Sequence, residues 1–196
     1  MSRRAIFFDR DGTLCAEVGY VNHPSRLALL PRTAEAIRRV NDLGWAAVLA
    51  TNQAGAARGY FPPHVLTDTH RRLVGLLAAE GARLDGIYAC THHPELGPPG
   101  LRRRCTCRKP RPGMLRRAER ELGLDLPRSW VVGDRWLDVQ LAAAVGARGG
   151  LLVRTGYGEV EEGQAPPGVT PAAIVSNVLE AASWIIRADR GGATSG

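Results

Sequence analysis

Short apolar runs alternate along this chain with segments whose apolar residues recur at helical spacing. The runs are three to six residues long and predict buried strands at 4–8, 45–50, 85–90, 130–134 and 151–153, with an edge strand at 172–175. The segments between them predict helices at 32–43, 63–80, 113–122, 137–145 and 177–187. This alternation is typical of an α/β fold with a mostly parallel sheet and helices on both faces.

The chain length sets the domain organisation. With 196 residues, the chain suits one domain, which we place at residues 1–187. Residues 156–171 are rich in Gly, Pro and Glu and predict a loop, and residues 188–196 predict a mobile tail.

The hydrophobic pattern also bears on location. No apolar run approaches the ~20 residues of a membrane helix. The apolar run near the N-terminus stops at Asp9, too early for a signal peptide. We therefore expect a cytoplasmic protein without membrane contact. We also expect a monomer.

The charge is strongly positive and almost entirely carried by arginine. The formal net charge is +7, and Lys109 is the only lysine among 26 basic residues. Such a charge is compatible with nucleic acid, anionic lipid or small phosphorylated substrates. A metal-dependent nucleic-acid module is one alternative, because a basic cluster surrounds Lys109. The cluster lacks interleaved aromatic residues for base stacking, however, so we expect a small phosphorylated substrate and no nucleic acid.

Polar residues follow four of the predicted strands. Because parallel strands end at one edge of a sheet, these residues are expected to meet there. They are Asp9 and Asp11, then Thr51 and Asn52, then the loop that carries Lys109, and finally Asp134 and Asp138.

The aspartates suggest a division of chemical labour. Of Asp9 and Asp11, one can attack an electrophile while the other donates and then accepts a proton. Asp134 brings a third carboxylate, which favours a hard divalent cation such as Mg²⁺. A purely structural interpretation stays open for each motif. Asp11 and Gly12 can simply form a turn, and Asp134 can be the N-cap of the next helix.

The third strand leads into a loop that holds three of the four cysteines. Cys90-x-His92 and Cys105-x-Cys107 supply one imidazole and three thiolates, a tetrahedral Zn²⁺ set. Four protein ligands leave no open position, so the site would be structural and would staple the loop at 90–107. His93 can replace His92 in this scheme. The alternative is a chance grouping of core cysteines and surface histidines, but the sequence LGPPGLRRR between them has little means of packing without a staple.

These motifs resemble those of the haloacid dehalogenase-like phosphatases. FFDRDGT (7–13), ATNQ (50–53), a lysine before a later helix and GDRWLD (133–138) occur in the family's order. The resemblance covers residues 4–155 and implies a Rossmann-like fold with an aspartyl-phosphate mechanism. The short connections leave little room for a large cap domain, so the zinc-stapled loop is the expected cover of the site.

The resemblance also assigns roles to the strand-end residues. It implies that Asp9 is the nucleophile and that Asp11 is the general acid and base. It implies that Thr51 and Asn52 bond the phosphoryl group and that Lys109 offsets its charge. The implied Mg²⁺ ligands are Asp9, the backbone carbonyl of Asp11, and Asp134, with Asp138 in a supporting position.

The resemblance narrows further to the D-glycero-D-manno-heptose 1,7-bisphosphate 7-phosphatases. The segments that carry it are CTHH (90–93), CTCRKPRPGM (105–114), EVGYV (17–21) and TNQAGAARGYF (51–61). Zinc-loop histidinol-phosphate phosphatases share most of these motifs and are the alternative. The implied substrate contacts are Glu17, Val18, Gly19, Tyr20, Thr51, Asn52, Gln53, Ala54, Arg108 and Lys109. We add Arg135, which stands where the family usually has lysine.

Overall fold

The computed structural model describes residues 2–191 and contains one sheet of six parallel strands. The order across the sheet is β3-β2-β1-β4-β5-β6. The strands are β1 (Ala5–Phe8), β2 (Ala46–Asn52), β3 (Gly86–Cys90), β4 (Trp130–Gly133), β5 (Gly149–Val153) and β6 (Ala173–Val175). All five pairings are parallel, and β6 lies at an edge, as predicted.

Helices cover both faces of this sheet, which confirms the predicted fold class. The helices are α1 (Thr33–Asp42), α2 (His64–Ala79), α3 (Gly113–Leu122), α4 (Trp136–Val145), α5 (Gly158–Glu162) and α6 (Val178–Gly191). Successive strand residues point to opposite faces. In β1, Ile6 and Phe8 join the core under α1, α2 and α6, whereas Ala5 and Phe7 join the core under α3 and α4.

Two segments differ from the sequence-based expectation. The predicted loop at 156–171 contains the short helix α5. Residues 188–191, expected in a mobile tail, continue α6. Asp189 explains this extension, because its carboxylate pairs with Arg4 and, at 2.9 Å, with Arg148. Residues 192–196 of the predicted tail lie outside the described residues.

The strand order positions the functional residues. The chain moves from β1 outward through β2 to β3, then returns to the other side of β1 with β4. Ligands in open parallel sheets bind beyond the carboxyl ends of the strands at such a reversal. The crevice beyond β1 and β4 receives Asp9 and Asp134, the residues that follow these strands. Between residues 2 and 191, no helix combines the length and apolar character needed to cross a bilayer.

Candidate active site

Three carboxylates and one ammonium group form the floor of the crevice. Oxygen atoms of Asp9, Asp134 and Asp138 all lie within 4.8 Å of one another. The Lys109 Nζ donates to Asp138 Oδ1 at 2.6 Å and lies 2.9 Å from Asp9 Oδ1. Lys109 is only 4% exposed, so its charge is buried among the carboxylates that compensate it.

The pKa values of the floor residues reflect burial and crowding. Burial raises the pKa of Asp134 to about 8, and the neighbouring charge of Asp9 adds to the rise. Burial also raises the pKa of Asp138 to about 7, against the opposing effect of Lys109. Burial alone would lower the pKa of Lys109, but Asp138 and Asp9 outweigh it and raise the pKa. Crowded carboxylate oxygens of this kind fit a divalent cation such as Mg²⁺, which prefers oxygen ligands.

A different set of contacts holds Asp11. Arg10 donates to both carboxylate oxygens, from Nε to Oδ1 and from Nη2 to Oδ2, each at 2.9 Å. Gln53 Nε2 also donates to Asp11 Oδ2, at 2.7 Å, and to Thr51 Oγ1 at 3.0 Å. Paired donors from a guanidinium fix the plane of a carboxylate. Arg10 is therefore a positioning residue that the sequence analysis did not predict.

Two glycines pack against Asp134. Gly12 has φ +74° and Gly156 has φ +61°, and a Cβ at either position would collide with Asp134 Oδ2. The same oxygen accepts a hydrogen bond from the Tyr157 backbone N–H at 2.9 Å. Gly12 does form a turn with Asp11, so the turn and the site coexist. Asp134 is not an N-cap, because Arg135 occupies that position in α4.

A cavity of about 270 Å³ opens above the floor. Val18 is the one predicted contact that does not line it; its carbonyl instead accepts from Arg26. The other predicted residues that line it are Asp9, Asp11, Glu17, Gly19, Tyr20, Thr51, Asn52, Gln53, Ala54, Arg108, Lys109, Asp134 and Arg135. Arg58, Leu137 and Tyr157 also line the cavity and were not predicted.

The amide of Asn52 has a role that its motif did not indicate. Asn52 Oδ1 accepts from the Lys109 backbone N–H at 3.0 Å, and its Nδ2 donates to the Lys109 carbonyl at 3.3 Å. This two-point contact joins the end of β2 to the loop before α3. The Lys109 backbone is therefore fixed, and the side chain can reach the floor from a defined position.

Aromatic residues lie around the mouth of the cavity. The Tyr20 and Tyr60 rings pack against each other with centroids 4.2 Å apart and planes tilted by 40°, which ties the segment at 17–20 to the segment at 54–61. On another side, the Arg135 guanidinium lies 4.1 Å from the centroid of the Tyr157 ring. Arg58 Nη2 lies 2.9 Å from His93 Nε2.

The Cys/His loop brings its four predicted ligands together. Cys90, His92, Cys105 and Cys107 place one ligand atom each within 4.8 Å of the others. The three sulfur atoms are 3.2–3.5 Å apart, and His92 Nδ1 lies 3.3 Å from Cys107 Sγ. Three sulfurs and one nitrogen around a single point can hold a metal ion.

The other histidine and cysteine candidates lie elsewhere. His93 is engaged by backbone, because its Nδ1 accepts from the amides of Glu95 and Leu96. Cys15 is buried in the main core, where burial raises the pKa of its thiol to about 12.

The chain is similar in sequence to known phosphatases. The HAD-hydrolase-like family model matches residues 106–181. The D-glycero-D-manno-heptose-1,7-bisphosphate 7-phosphatase of Thermosynechococcus vestitus is 42% identical over 94% of this chain and 96% of its own. The D-glycero-beta-D-manno-heptose-1,7-bisphosphate 7-phosphatase of Yersinia pestis is 41% identical over 82% of this chain and 86% of its own. The chain belongs to this heptose bisphosphate phosphatase family.

A solved structure extends the family likeness to the whole fold. The D,D-heptose 1,7-bisphosphate phosphatase of B. bronchiseptica, crystallised with magnesium and phosphate, has a TM-score of 0.81 and 34% identity. The match covers 94% of this chain and 99% of that one. A family member whose chain aligns almost end to end with this one therefore has the same fold. This agrees with the prediction that the chain carries no large cap domain.

Proposed function

We propose that this member of the family hydrolyses the C7 phosphate of D-glycero-D-manno-heptose 1,7-bisphosphate and releases heptose 1-phosphate and inorganic phosphate. The observation that supports it most strongly is the buried contact between Asp9 and Lys109 at the floor of a cavity lined by the family's motifs. The names of relatives about 40% identical supply the substrate.

The reaction proceeds in two steps on the chain's own residues. A carboxylate oxygen of Asp9 attacks phosphorus, the bond to the sugar oxygen breaks, and Asp11 gives its proton to that oxygen. Asp11 then takes a proton from water, whose oxygen attacks the aspartyl-phosphate and restores Asp9. Lys109 offsets the charge of the phosphoryl group throughout, since phosphoryl transfer depends mainly on positioning and electrostatics.

Two metal ions complete the proposal. Asp9, Asp134 and the backbone carbonyl of Asp11 would hold Mg²⁺, which offsets phosphoryl charge when bound. Asp138 would support this site through Lys109. The Cys90, His92, Cys105 and Cys107 cluster would hold a second ion, Zn²⁺, whose role would be structural because all four ligands come from the protein.

The remaining proposals concern partners and location. We propose a monomeric cytoplasmic enzyme that does not act on nucleic acid. The cavity of about 270 Å³ is lined by cationic and hydrogen-bonding side chains, which suit a phosphorylated sugar. Gel filtration tests the monomer, and a binding assay at moderate salt tests the absence of nucleic-acid binding.

The substrate test compares heptose 1,7-bisphosphate with histidinol phosphate under the same Mg²⁺ and salt. We expect a much larger kcat/KM for the bisphosphate than for histidinol phosphate. Arg58, Arg108 and Arg135 line the cavity, and their positive charges repel the cationic amine of histidinol phosphate. Asp9→Asn is the control and should lose several powers of ten in rate while staying folded. A preference for histidinol phosphate contradicts the substrate; near-parent activity in folded Asp9→Asn contradicts the mechanism.

A further inference from the structure

A single guanidinium holds the segment at 17–22, which forms part of the cavity wall. Arg26 Nη1 donates to the Tyr20 carbonyl at 3.0 Å and to Asn22 Oδ1 at 2.9 Å. Its Nη2 donates to the Val18 carbonyl at 3.3 Å. The segment belongs to no helix or strand, so a side chain rather than a regular backbone pattern holds it. The contacts need the fork of an arginine, because an ammonium group has only one nitrogen.

Arg26 is itself anchored to the core. It ends a short 3-10 turn, Pro24–Arg26, and the next residue, Leu27, is buried in the main core. Arg72 of α2 donates from its Nε to the Leu27 carbonyl at 3.3 Å. The guanidinium of Arg26 therefore joins an irregular segment of the cavity wall to a fixed part of the fold.

The contact with Val18 sets the direction of a peptide group beside the cavity. In a trans peptide the C=O and the N–H point in opposite directions. Because the Val18 carbonyl points to Arg26, the Gly19 N–H points away from it. That N–H donates to Glu17 Oε1. Gly19 has φ +75°, a left-handed conformation that glycine adopts freely. Arg26 therefore orients the Glu17 carboxylate through one peptide group.

Glu17 has one oxygen left for a ligand. The residue lines the cavity and its Oε1 accepts from the Gly19 amide, whereas its Oε2 has no donor among residues 2–191. An ionised carboxylate only accepts hydrogen bonds, so it recognises donors such as hydroxyl groups and repels phosphate. This part of the wall therefore suits the hydroxyl groups of a sugar rather than its phosphates.

We propose that Arg26 is a positioning residue for substrate specificity, which holds Glu17 where its free oxygen accepts from a hydroxyl group of the sugar. The inference rests on the proposed function, because a sugar must occupy the cavity. The Tyr20 ring is held independently of Arg26, since it packs against Tyr60 and over Gly55. Loss of the Arg26 contacts should therefore act through Glu17.

The main test compares heptose 1,7-bisphosphate with p-nitrophenyl phosphate, which has no sugar hydroxyls, in the full-length, metal-loaded enzyme. Arg26→Gln should raise KM for the bisphosphate about tenfold, with little change in kcat and little effect on p-nitrophenyl phosphate. Arg26→Lys retains the charge but not the fork and should recover little of the loss. Arg71→Gln removes an exposed charge on α2 and is the matched control, which should behave like the parent.

A double variant tests whether Arg26 acts through Glu17. Arg26→Gln combined with Glu17→Ala should be no worse on the bisphosphate than Glu17→Ala alone, because the two changes remove one interaction. Additive losses would overturn the inference, and so would equal losses on both substrates. Parent-like kinetics in Arg26→Lys beside a loss in Arg26→Gln would also overturn it, since charge alone would then explain the effect.

A second readout does not require turnover of the bisphosphate. Heptose 1-phosphate and inorganic phosphate serve as inhibitors of p-nitrophenyl phosphate hydrolysis. The inhibition constant of heptose 1-phosphate should rise about tenfold in Arg26→Gln, while that of inorganic phosphate stays at the parent value. An unchanged constant for heptose 1-phosphate contradicts the role of Arg26. A parent enzyme that does not hydrolyse the bisphosphate contradicts the proposed function, while the two inhibition constants still test Arg26.

Discussion

Lys109 shows why a chain that otherwise uses arginine keeps one lysine. Its ammonium group contacts Asp138 at 2.6 Å and Asp9 at 2.9 Å, and it is buried. A guanidinium is wider and planar, and it spreads five donors over a fork. A compact ammonium can lie between two carboxylates in closely packed surroundings, whereas a guanidinium must displace one of them.

Lys109→Arg should therefore lower kcat by at least about a hundredfold, because the larger group pushes Asp9 away from its attacking position. It should also lower the melting temperature, because forcing extra volume into a packed site costs about 1–3 kcal/mol. Steady-state kinetics and thermal denaturation check both effects. Arg120→Lys, an exposed change on α3, is the control and should leave both values near the parent. A Lys109→Arg enzyme as fast as the parent would mean that the lone lysine is an accident of composition.

At the scale of elements, the Cys/His loop and the end of β2 jointly position Lys109, the lysine at the floor of the cavity. The last cysteine of the cluster, Cys107, lies two residues before Lys109, and Asn52 fixes the Lys109 backbone through two hydrogen bonds. The loop segment at 94–104 contains no helix or strand of its own. Apart from a few backbone hydrogen bonds, the proposed metal ligands are the contacts that would hold this loop in place.

Cys105→Ser should remove the metal from the loop. We expect a fall from about one zinc per chain to none, a lower melting temperature, and a loss of kcat because Lys109 is no longer held. Elemental analysis of the purified protein, thermal denaturation and kinetics at saturating Mg²⁺ measure these effects. Cys15→Ala is the control, since Cys15 lies in the main core and should not affect the zinc content. Retained zinc with an unchanged melting temperature in Cys105→Ser would contradict the staple.

The strands were predictable because the strands of a covered parallel sheet are apolar on both faces and read as continuous hydrophobic runs. The segment that became α5 lacks such a pattern: five residues of Gly, Glu and Val show no helical period. Contacts that are distant in sequence hold it, with the Trp136 N–H bonded to Glu161 and Arg154 paired with Glu162. Local pattern does not contain that information.

Within the site, too, features set by local sequence were predictable, whereas features set by distant contacts were not. The strand-end aspartates were predictable, because β1 and β4 must end at one edge of a parallel sheet. The orientation of Arg10 was not, since a position between two aspartates does not reveal which carboxylate its guanidinium will bind. Tyr157 gave no signal either. It lies in the segment read as a loop and reaches the cavity only because β5 places it beside Asp134.

At the scale of the molecule, the net charge of +7 is unevenly compensated. Many arginines pair with carboxylates. Within residues 2–191, however, no carboxylate forms a salt bridge with Arg111 or with any arginine of the run 102–104. A surface cavity lined by Arg103, Arg104 and Arg111 shares Arg108 and Lys109 with the active-site cavity. Uncompensated positive charge beside a cavity attracts anionic substrates toward it.

We therefore expect kcat/KM for the bisphosphate to fall several-fold between about 50 and 300 mM salt at constant free Mg²⁺, with kcat little changed. The double variant Arg103→Gln/Arg104→Gln should start lower and depend less on salt. Arg38→Gln is the control, because Arg38 bonds the Glu80 carbonyl and lines neither cavity. Identical salt slopes in all three proteins would show that these arginines do not guide the substrate.

The two glycines around Asp134 have a consequence for how this enzyme can evolve. A side chain at Gly12 or Gly156 would displace that carboxylate. We therefore expect substitutions at these two positions to abolish activity rather than alter specificity. Tyr20 and Tyr157, each 39% exposed, are under no such packing constraint. A lineage can therefore explore new sugars by altering the mouth of the cavity while it inherits the phosphate chemistry unchanged.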